Sequence, residues 1–374
     1  MAMSQKSESN EFDFVVLNPK KRKRDLIEQT LSGLGPLLWL RFVPLGFRGF
    51  PETKTRSEEA LLSATKIPKS SVLKMLKRVL LGWQYNGARR YFERHQTAVA
   101  VVWTGLNGTR RVFADGARDS GCKTLFYELG PLPNTLTVDA KGVNYSNSVP
   151  RDPEFFRAWH EQVGHTETWR SVAETINQRN GVKREVPQDH RIPDMSEPYI
   201  FVPLQVPGDS QLRLFGGAYR TVPDLINMIC EMASHLPEGW HVRVKEHPSA
   251  KESFADLFQG LSVPVYLDNG TDTFAQVNAA QVVLTTNSSV GLEAMFFDKS
   301  VVACGACFWA IDGVALDARD HQILAQVFRS PQAVNYDSGL RSAFLEFLQS
   351  EYYVSTHPED AEGDKIRTRL TKGW

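Results

Sequence analysis

Three polar clusters in the second half of the chain have side chains suited to handling an anionic leaving group. Each closes an apolar run. Residues 199–206 lead into Gln205, Asp209 and Ser210, residues 240–245 into Lys245, Glu246 and His247, and residues 281–284 into Asn287, Ser288 and Ser289. A lysine and an imidazole can neutralise or protonate a departing phosphate. A serine hydroxyl at the first turn of a helix can hold that phosphate beside unpaired backbone N–H groups. Pro248 fixes the backbone after His247 and limits where the imidazole points. Asp209, on a Pro-Gly-Asp-Ser turn, has the chemistry of a nucleophile, a general base or a turn-forming side chain. Each cluster also has a plainer reading: Ser288 or Ser289 as a helix N-cap, His247 as a core histidine, Asp209 as turn chemistry. Carboxylate and imidazole at neighbouring strand ends favour a shared ligand. Glu128, at the end of an apolar run over 123–128, is either a general base or a solvated strand terminus.

The elements that must position these groups follow from periodicity. Buried strands are expected at 97–103 and 123–128, joined by a turn at 105–108 and a helix over 109–119. Strand, helix, strand at this spacing implies a parallel sheet with a right-handed crossover. A turn-rich connection over 131–153 holds a short strand at 135–138, and helical segments run from 154 to about 180. Residues 183–196, charged and Pro-punctuated, suit an interdomain linker. A second alternating series begins at Tyr199: strands at 199–206, 240–245, 263–267, 281–284 and 300–303, with helices at 222–236, 252–260, 273–280 and from the serine turn to 297. Further helices are expected at 316–328 and 340–353. Residues 70–91 read as a helix with Val72, Met75, Leu76, Val79 and Leu80 on one face and lysines on the other. The apolar-rich stretch 25–48 is interrupted by Gly33, Gly35 and Pro36, which excludes one long helix. Its aromatic and basic mixture suits either a membrane surface or the cover of a domain.

The totals exclude several classes. At 374 residues the chain is long enough for two domains, and 42% hydrophobic with 23% charged residues fits a globular protein. Net charge is zero, so no global field favours nucleic acid. The four cysteines form no secreted disulfide framework, and Cys304-Gly-Ala-Cys307, after an apolar run, reads as buried strand-end packing. No Gly-x-Gly-x-x-Gly fingerprint or Walker lysine loop follows a strand, which argues against a dinucleotide dehydrogenase and a P-loop ATPase. No cluster has metal-ligand spacing, so neither a metal nor a cofactor is expected. The absence of a span-length apolar run or a signal-peptide core points to a cytoplasmic protein. The basic run 19–24 suits a helix start, an import signal or a patch for anionic headgroups.

Lys245-Glu246-His247-Pro248 together with Asn287-Ser288-Ser289-Val290-Gly291-Leu292-Glu293 resembles the bacterial capsule polysaccharide biosynthesis and export family, which includes β-Kdo transferases that use CMP-Kdo. Three further stretches strengthen the likeness. They are Gln205–Ser210, Asp139-Ala140-Lys141-Gly142-Val143-Asn144 with 147–153, and Gly305-Ala306-Cys307-Phe308-Trp309. The resemblance covers about residues 97–330. It implies a GT-B-like α/β fold, two Rossmann-like domains with an interdomain cleft. The expected layout is a basic or disordered segment 1–24, an acceptor-side domain 25–190, a nucleotide-sugar domain 196–335, and C-terminal helices and tail 336–374, part of which returns to the first domain. The implied activity is transfer of Kdo, or of another nucleotide-linked sugar, to a glycolipid or polysaccharide acceptor. Asp209 is then the nucleophile of a retaining mechanism, His247 and Ser288/Ser289 bind the CMP phosphate, and Glu128 activates the acceptor. Gln205, Ser210, Lys245, Pro248 and Asn287 complete the donor contacts. A capsule assembly or export complex at the inner membrane is the implied setting, and a non-catalytic subunit of such a complex is the alternative. Residues 1–90 lack the family's Gly-rich first strand and turn, unless 14–17 is that strand with an altered loop.

Overall fold

The structure, a computed structural model, describes residues 12–164, 167–176, 193–357, 360 and 362–372. The start expected to be mobile, residues 1–12, lies outside the described residues except for Phe12, which is buried in the core of the first unit, and most of the expected linker also lies outside them. Two compact units divide the chain. One comprises Met1–Gly130, Asn134–Ser148 and Tyr353–Trp374, the other Pro131–Pro133 and Val149–Tyr352.

In chain order the first unit builds β1 (Asp13–Leu17), α1 (Lys21–Leu31), β2 (Leu37–Leu40), α2 (Thr53–Ser63), α3 (Ser71–Arg94), β3 (Ala98–Trp103), α4 (Gly108–Asp119), β4 (Lys123–Leu129) and β5 (Thr135–Asp139). The second builds α5 (Pro153–Val163), α6 (Val172–Ile176), β6 (Tyr199–Pro203), α7 (Ser210–Phe215), α8 (Val222–Ala233), β7 (His241–Lys245), β8 (Val265–Leu267), α9 (Thr273–Ala279), β9 (Val282–Thr285), α10 (Ser289–Met295), β10 (Ser300–Ala303), β11 (Leu316–Asp317), α11 (His321–Arg329) and α12 (Ser338–Phe347). The chain then returns to the first unit as β12 (Val354–Ser355) and α13 (Gly363–Thr371).

The first sheet runs β12-β5-β4-β3-β1-β2. Its four central and edge strands β4, β3, β1 and β2 are parallel, whereas β5 and β12 are antiparallel additions. β3 is apolar at every position because helices cover both sheet faces. Val99, Val101 and Trp103 pack with Ile27 and Leu31 of α1 and Ile366 and Leu370 of α13. Ala98, Ala100 and Val102, on the opposite side of the pleat, pack with Phe92 of α3 and Phe113 of α4. Residues 14–17 are thus the first strand of a Rossmann-like unit, and the basic run 20–24 is the start of the helix that follows it. β2 was hidden in the sequence: its four residues are only half covered, and Gly33 and Pro36 mask the strand pattern around them.

The second sheet, β11-β10-β9-β6-β7-β8, is parallel throughout. From β6 the chain steps outward to β7 and β8, then crosses back to place β9 on the other side of β6. The strand order therefore reverses between β6 and β9, where α/β sheets open a crevice at their carboxyl ends. Three expectations need correcting here. The turn after Pro207 continues into the short helix α7, because Asp209 caps it. Residues 316–317 form an edge strand instead of starting a helix, and α11 begins only at His321 behind its cap Asp320. The expected helix at 252–260 shrinks to a 3-10 turn, Ala255–Phe258. Among the described residues no helix is long and apolar enough to cross a membrane.

Candidate functional site

A cavity of about 260 Å³ opens at the carboxyl ends of β6 and β7 and reaches the start of α10. Its lining includes Pro203, Lys245, His247, Pro248, Phe274, Ser289 and Glu293, so it lies at the reversal point of the second sheet. α10 comes close to the strand ends because Gly291 leaves it room. A Cβ there would sit 2.6 Å from the Trp309 ring and 2.8 Å from the Thr285 side chain. Gly305 permits the same approach on the next turn, where a Cβ would lie 2.6 Å from Thr286. The Gly-x-x-Phe-Trp segment is thereby part of the packing behind the site.

His247 is half-buried, and its Nδ1 accepts the Ser249 N–H at 3.0 Å. That bond places the ring proton on Nε2, leaving a neutral N–H donor. Burial lowers the imidazole's pKa below its ordinary value, opposed by the negative charge of Asp209. The side chain is accordingly a hydrogen-bond donor near neutral pH and not a stored cation. Ser289 is exposed at the first position of α10, and Ser288 precedes it as the N-cap, its Oγ accepting the Val290 N–H at 3.3 Å. The two expected phosphate-binding serines thus divide. Ser289 lines the cavity, while Ser288 serves the helix and lies outside the lining. α10 has seven residues, so hydroxyl and N–H groups matter more here than a long helix dipole.

The turn that carries His247 is held by a residue the sequence reading left without a role. Glu246 is buried and accepts the Phe254 N–H at 2.5 Å, the Ser253 hydroxyl at 3.0 Å and the Asn269 side-chain amide at 3.0 Å. Asn269 reciprocates by accepting the Glu246 N–H at 2.9 Å. Lys245 is directed to the same neighbourhood: its Nζ donates to the carbonyls of Asn269 at 2.8 Å and Thr271 at 2.6 Å. Its charge borders the cavity, but most of its donor capacity fixes the turn before α9. Glu293, which looks structural from its place one turn inside the helix, lines the cavity and is buried.

The remaining donor-side candidates lie around this cavity and not in its wall. Gln205 and Asn287 are buried and bonded to each other at 3.0 Å, and Asn287 also donates to the Gln211 carbonyl at 3.1 Å. The buried amides need partners, and pairing ties the ends of β6 and β9 to α7. Asp209 is half-buried and caps α7, its Oδ1 accepting the Gln211 N–H at 2.9 Å. Ser210 is the first residue of that helix.

Glu128 belongs to the first unit, at the end of β4. Its carboxylate accepts the Thr104 hydroxyl at 2.6 Å, the Trp103 indole N–H at 3.2 Å and the Leu129 N–H at 3.1 Å. Thr104 adopts φ +64, an uncommon conformation for a β-branched residue, and this places its hydroxyl against Glu128. Lys23 of α1 stands 4.3 Å over the Trp103 ring, and burial lowers its pKa against the opposing charge of Glu128. Neither Thr104 nor Lys23 has a spacing signal in the sequence. The Asp139 signature turns out to be scaffold: the buried carboxylate accepts the N–H groups of Lys141, Gly142 and Ser148 and the Ser148 hydroxyl, at 2.7–3.0 Å. Cys304 and Cys307 are both buried, and burial pushes the Cys304 thiol up to about 12, as strand-end packing requires.

Two Rossmann-like α/β units with a crevice at the switch point of one sheet define a GT-B-like protein. Among solved structures, the beta Kdo 2,7 transferase of Thermosulfurimonas dismutans KpsC aligns with a TM-score of 0.50 and 13% identity, covering 92% of this chain and 96% of that one. The beta Kdo 2,4 transferase of the same KpsC aligns with a TM-score of 0.50 and 15% identity, covering 90% of each chain. At such identities the likeness concerns the fold. Residues 169–353 match the family model described as Capsule polysaccharide biosynthesis protein. The chain is 30% identical over 274 residues to Protein FixF of Sinorhizobium fredii (strain NBRC 101917 / NGR234), covering 72% of this chain and 64% of FixF. It is 23% identical over 272 residues to the Capsule polysaccharide export protein KpsS of Escherichia coli, covering 57% of this chain and 68% of KpsS. The chain therefore spans less than two thirds of FixF, at 64% of its length. The chain is thus similar to a capsule polysaccharide biosynthesis family over just under half of its length, and its fold is β-Kdo transferase-like.

Proposed function

We propose that this chain is a glycosyltransferase of capsule or surface polysaccharide assembly that transfers Kdo from CMP-Kdo with retention of configuration. The observation that supports it best is the cavity at the reversal point of the second sheet, where His247, Pro248 and Ser289 meet. The Nε2–H of His247 and the Ser289 hydroxyl donate to the CMP phosphate, and Lys245 adds positive charge at its border. Glu293, an acceptor in the same wall, suits the ribose hydroxyls. Capping α7 occupies only Oδ1 of Asp209, which leaves Oδ2 as the nucleophile. Oδ2 attacks the anomeric carbon, the bond from that carbon to the phosphate oxygen breaks, and CMP departs with the electron pair. An acceptor hydroxyl, its proton taken by Glu128, then displaces the aspartate and restores it. The donor is a substrate, and the scheme uses no cofactor.

A second reading is a non-catalytic subunit of capsule assembly or export. The inward commitment of Gln205 and Asn287, which removes two expected donor contacts, favours it. CMP release separates the two readings. Purified protein with CMP-Kdo should release CMP slowly, and Asp209→Asn should abolish release while CMP still binds. Release from a uridine- or guanosine-linked sugar but not from CMP-Kdo replaces the donor. Neither binding nor release of any nucleotide supports the non-catalytic subunit.

A further inference from the structure

The first unit presents an apolar surface that its own core does not use. α3 buries Leu81, Tyr85, Ala88 and Phe92. The periodic face read from the sequence points the other way: Val72 is 59% exposed, Leu76 54% and Leu80 44%. The patch continues beyond the helix. Phe47, 72% exposed, packs edge-on against Trp83 with ring centroids 5.1 Å apart, and Phe42 on the same loop is 74% exposed. The Gly46 N–H donates to the Trp83 carbonyl at 2.8 Å, which fixes the loop against the helix. Burying such side chains in water's absence is favourable, so a contiguous exposed patch of this kind marks an interaction surface.

Charge identifies the partner. Residues 41–83 carry nine Lys or Arg and three Glu, a net charge of +6 in a chain whose total is zero. All three glutamates are paired with arginine: Glu52 with Arg89, Glu58 with Arg78, Glu59 with Arg56 and Arg111. Arg41, Arg48, Lys66 and Lys69 are exposed on the segments that carry Phe42 and Phe47 and lead into α3, and Arg41 lies against the Phe42 ring. Long cationic side chains flanking an apolar helix face can lay their stems on the acyl boundary and their heads on phosphates. We propose that this face, the outward stripe of α3 with Phe42 and Phe47, docks in the interfacial layer of an anionic lipid bilayer. The inference stands on the first unit alone and is independent of the donor reading.

Cosedimentation tests it. The full chain is mixed with vesicles of phosphatidylcholine alone, or of phosphatidylcholine with an equal part of phosphatidylglycerol. Partitioning onto the anionic vesicles should be at least about tenfold stronger and should fall with added salt. Leu76→Ser with Leu80→Ser, and separately Phe42→Ser with Phe47→Ser, should each weaken it about tenfold or more while the circular dichroism spectrum stays that of the parent. Arg41→Gln with Arg48→Gln should weaken it by a similar factor on anionic vesicles only. Equal partitioning onto both vesicle types, or variants that bind like the parent, overturns the proposal. So does light scattering that shows a dimer dispersed by Leu76→Ser with Leu80→Ser, which would make a second copy the occupant. CMP binding by the same variants should be unchanged, so failure here leaves the donor reading intact.

Discussion

Replacing Glu246 by glutamine keeps the shape of the side chain and removes its charge, and the consequence for the site can be worked from its contacts. The carboxylate takes three donors, at 2.5 Å from Phe254 N, 3.0 Å from Ser253 Oγ and 3.0 Å from Asn269 Nδ2. Hydrogen bonds to a charged group contribute about 1.5–3 kcal/mol, against about 1 kcal/mol for neutral ones. A glutamine must also turn its NH2 toward one of these donors. Asn269 cannot relieve the clash by flipping its amide, because its Oδ1 already accepts the Glu246 N–H at 2.9 Å. The expected local cost is about 2–4 kcal/mol. If about half of that falls on ordering the turn that presents His247, CMP affinity drops roughly tenfold or somewhat more, at 1.4 kcal/mol per factor of ten. Calorimetric titration with CMP reads the affinity, and hydrogen exchange of the amides over 246–254 reads the turn. Glu246 acts on the proposed phosphate only through the turn it holds, so the loss should come with faster exchange. Unchanged affinity with unchanged protection would refute the idea that this carboxylate positions the imidazole.

Further substitutions probe other parts of the second unit. His247→Ala should slow CMP release from CMP-Kdo by roughly a hundredfold, the loss typical of one preorganised donor, measured by single-turnover kinetics. Ser289→Ala should weaken CMP binding, whereas Ser288→Ala should mainly lower stability by about 1 kcal/mol through the lost cap; if the double variant binds CMP like the parent, the cradle assignment is wrong. Gly291→Ala should destabilise the second unit by about 1–3 kcal/mol, because its Cβ meets Trp309 and Thr285, a change visible in the thermal midpoint. His241 is buried without a hydrogen-bond partner among the described residues, and burial together with Arg243 pushes its pKa down from 6.5 to about 4. The unfolded chain protonates first, so this stabilisation is complete above pH 6.5 and is lost as pH falls toward 4. It amounts to about 3 kcal/mol, and denaturant melts at the two ends of that window should differ less in His241→Phe than in the parent.

The second unit was more legible than the first, for physical reasons. Its strands are buried on both faces and appear as short apolar runs between turn residues, so β6, β7, β9 and β10 could be placed within a few residues of their bounds. The elements that escaped were those whose pattern comes from elsewhere. β2 is a half-covered strand, and α7 exists because one side chain caps it. The apolar face of α3 has a clear helical period yet points to solvent, since periodicity identifies a face but not what covers it. At the site, the spacing of strand ends identified His247, Pro248, Lys245 and Ser289 as neighbours. It could not show that Gln205 and Asn287 satisfy each other, because side-chain pairing across β6 and β9 depends on strand order. Glu246 was concealed for the same reason: its partners lie 7, 8 and 23 residues along the chain.

The placement of β12 and α13 bears on how the protein is made. The second unit is essentially continuous in sequence, apart from Pro131–Pro133, whereas the first needs residues from both sides of it. Ile366 and Leu370 cover one face of β3, and Val354 pairs with Leu136 at the sheet edge. On the ribosome, the first unit emerges with that face covered by α1 alone and stays so while about two hundred further residues, Val149–Tyr352, are synthesised. The second unit is therefore complete before the first, reversing the usual N-to-C order of domain folding. The early apolar strands must be kept from wrong partners until the chain returns to close them.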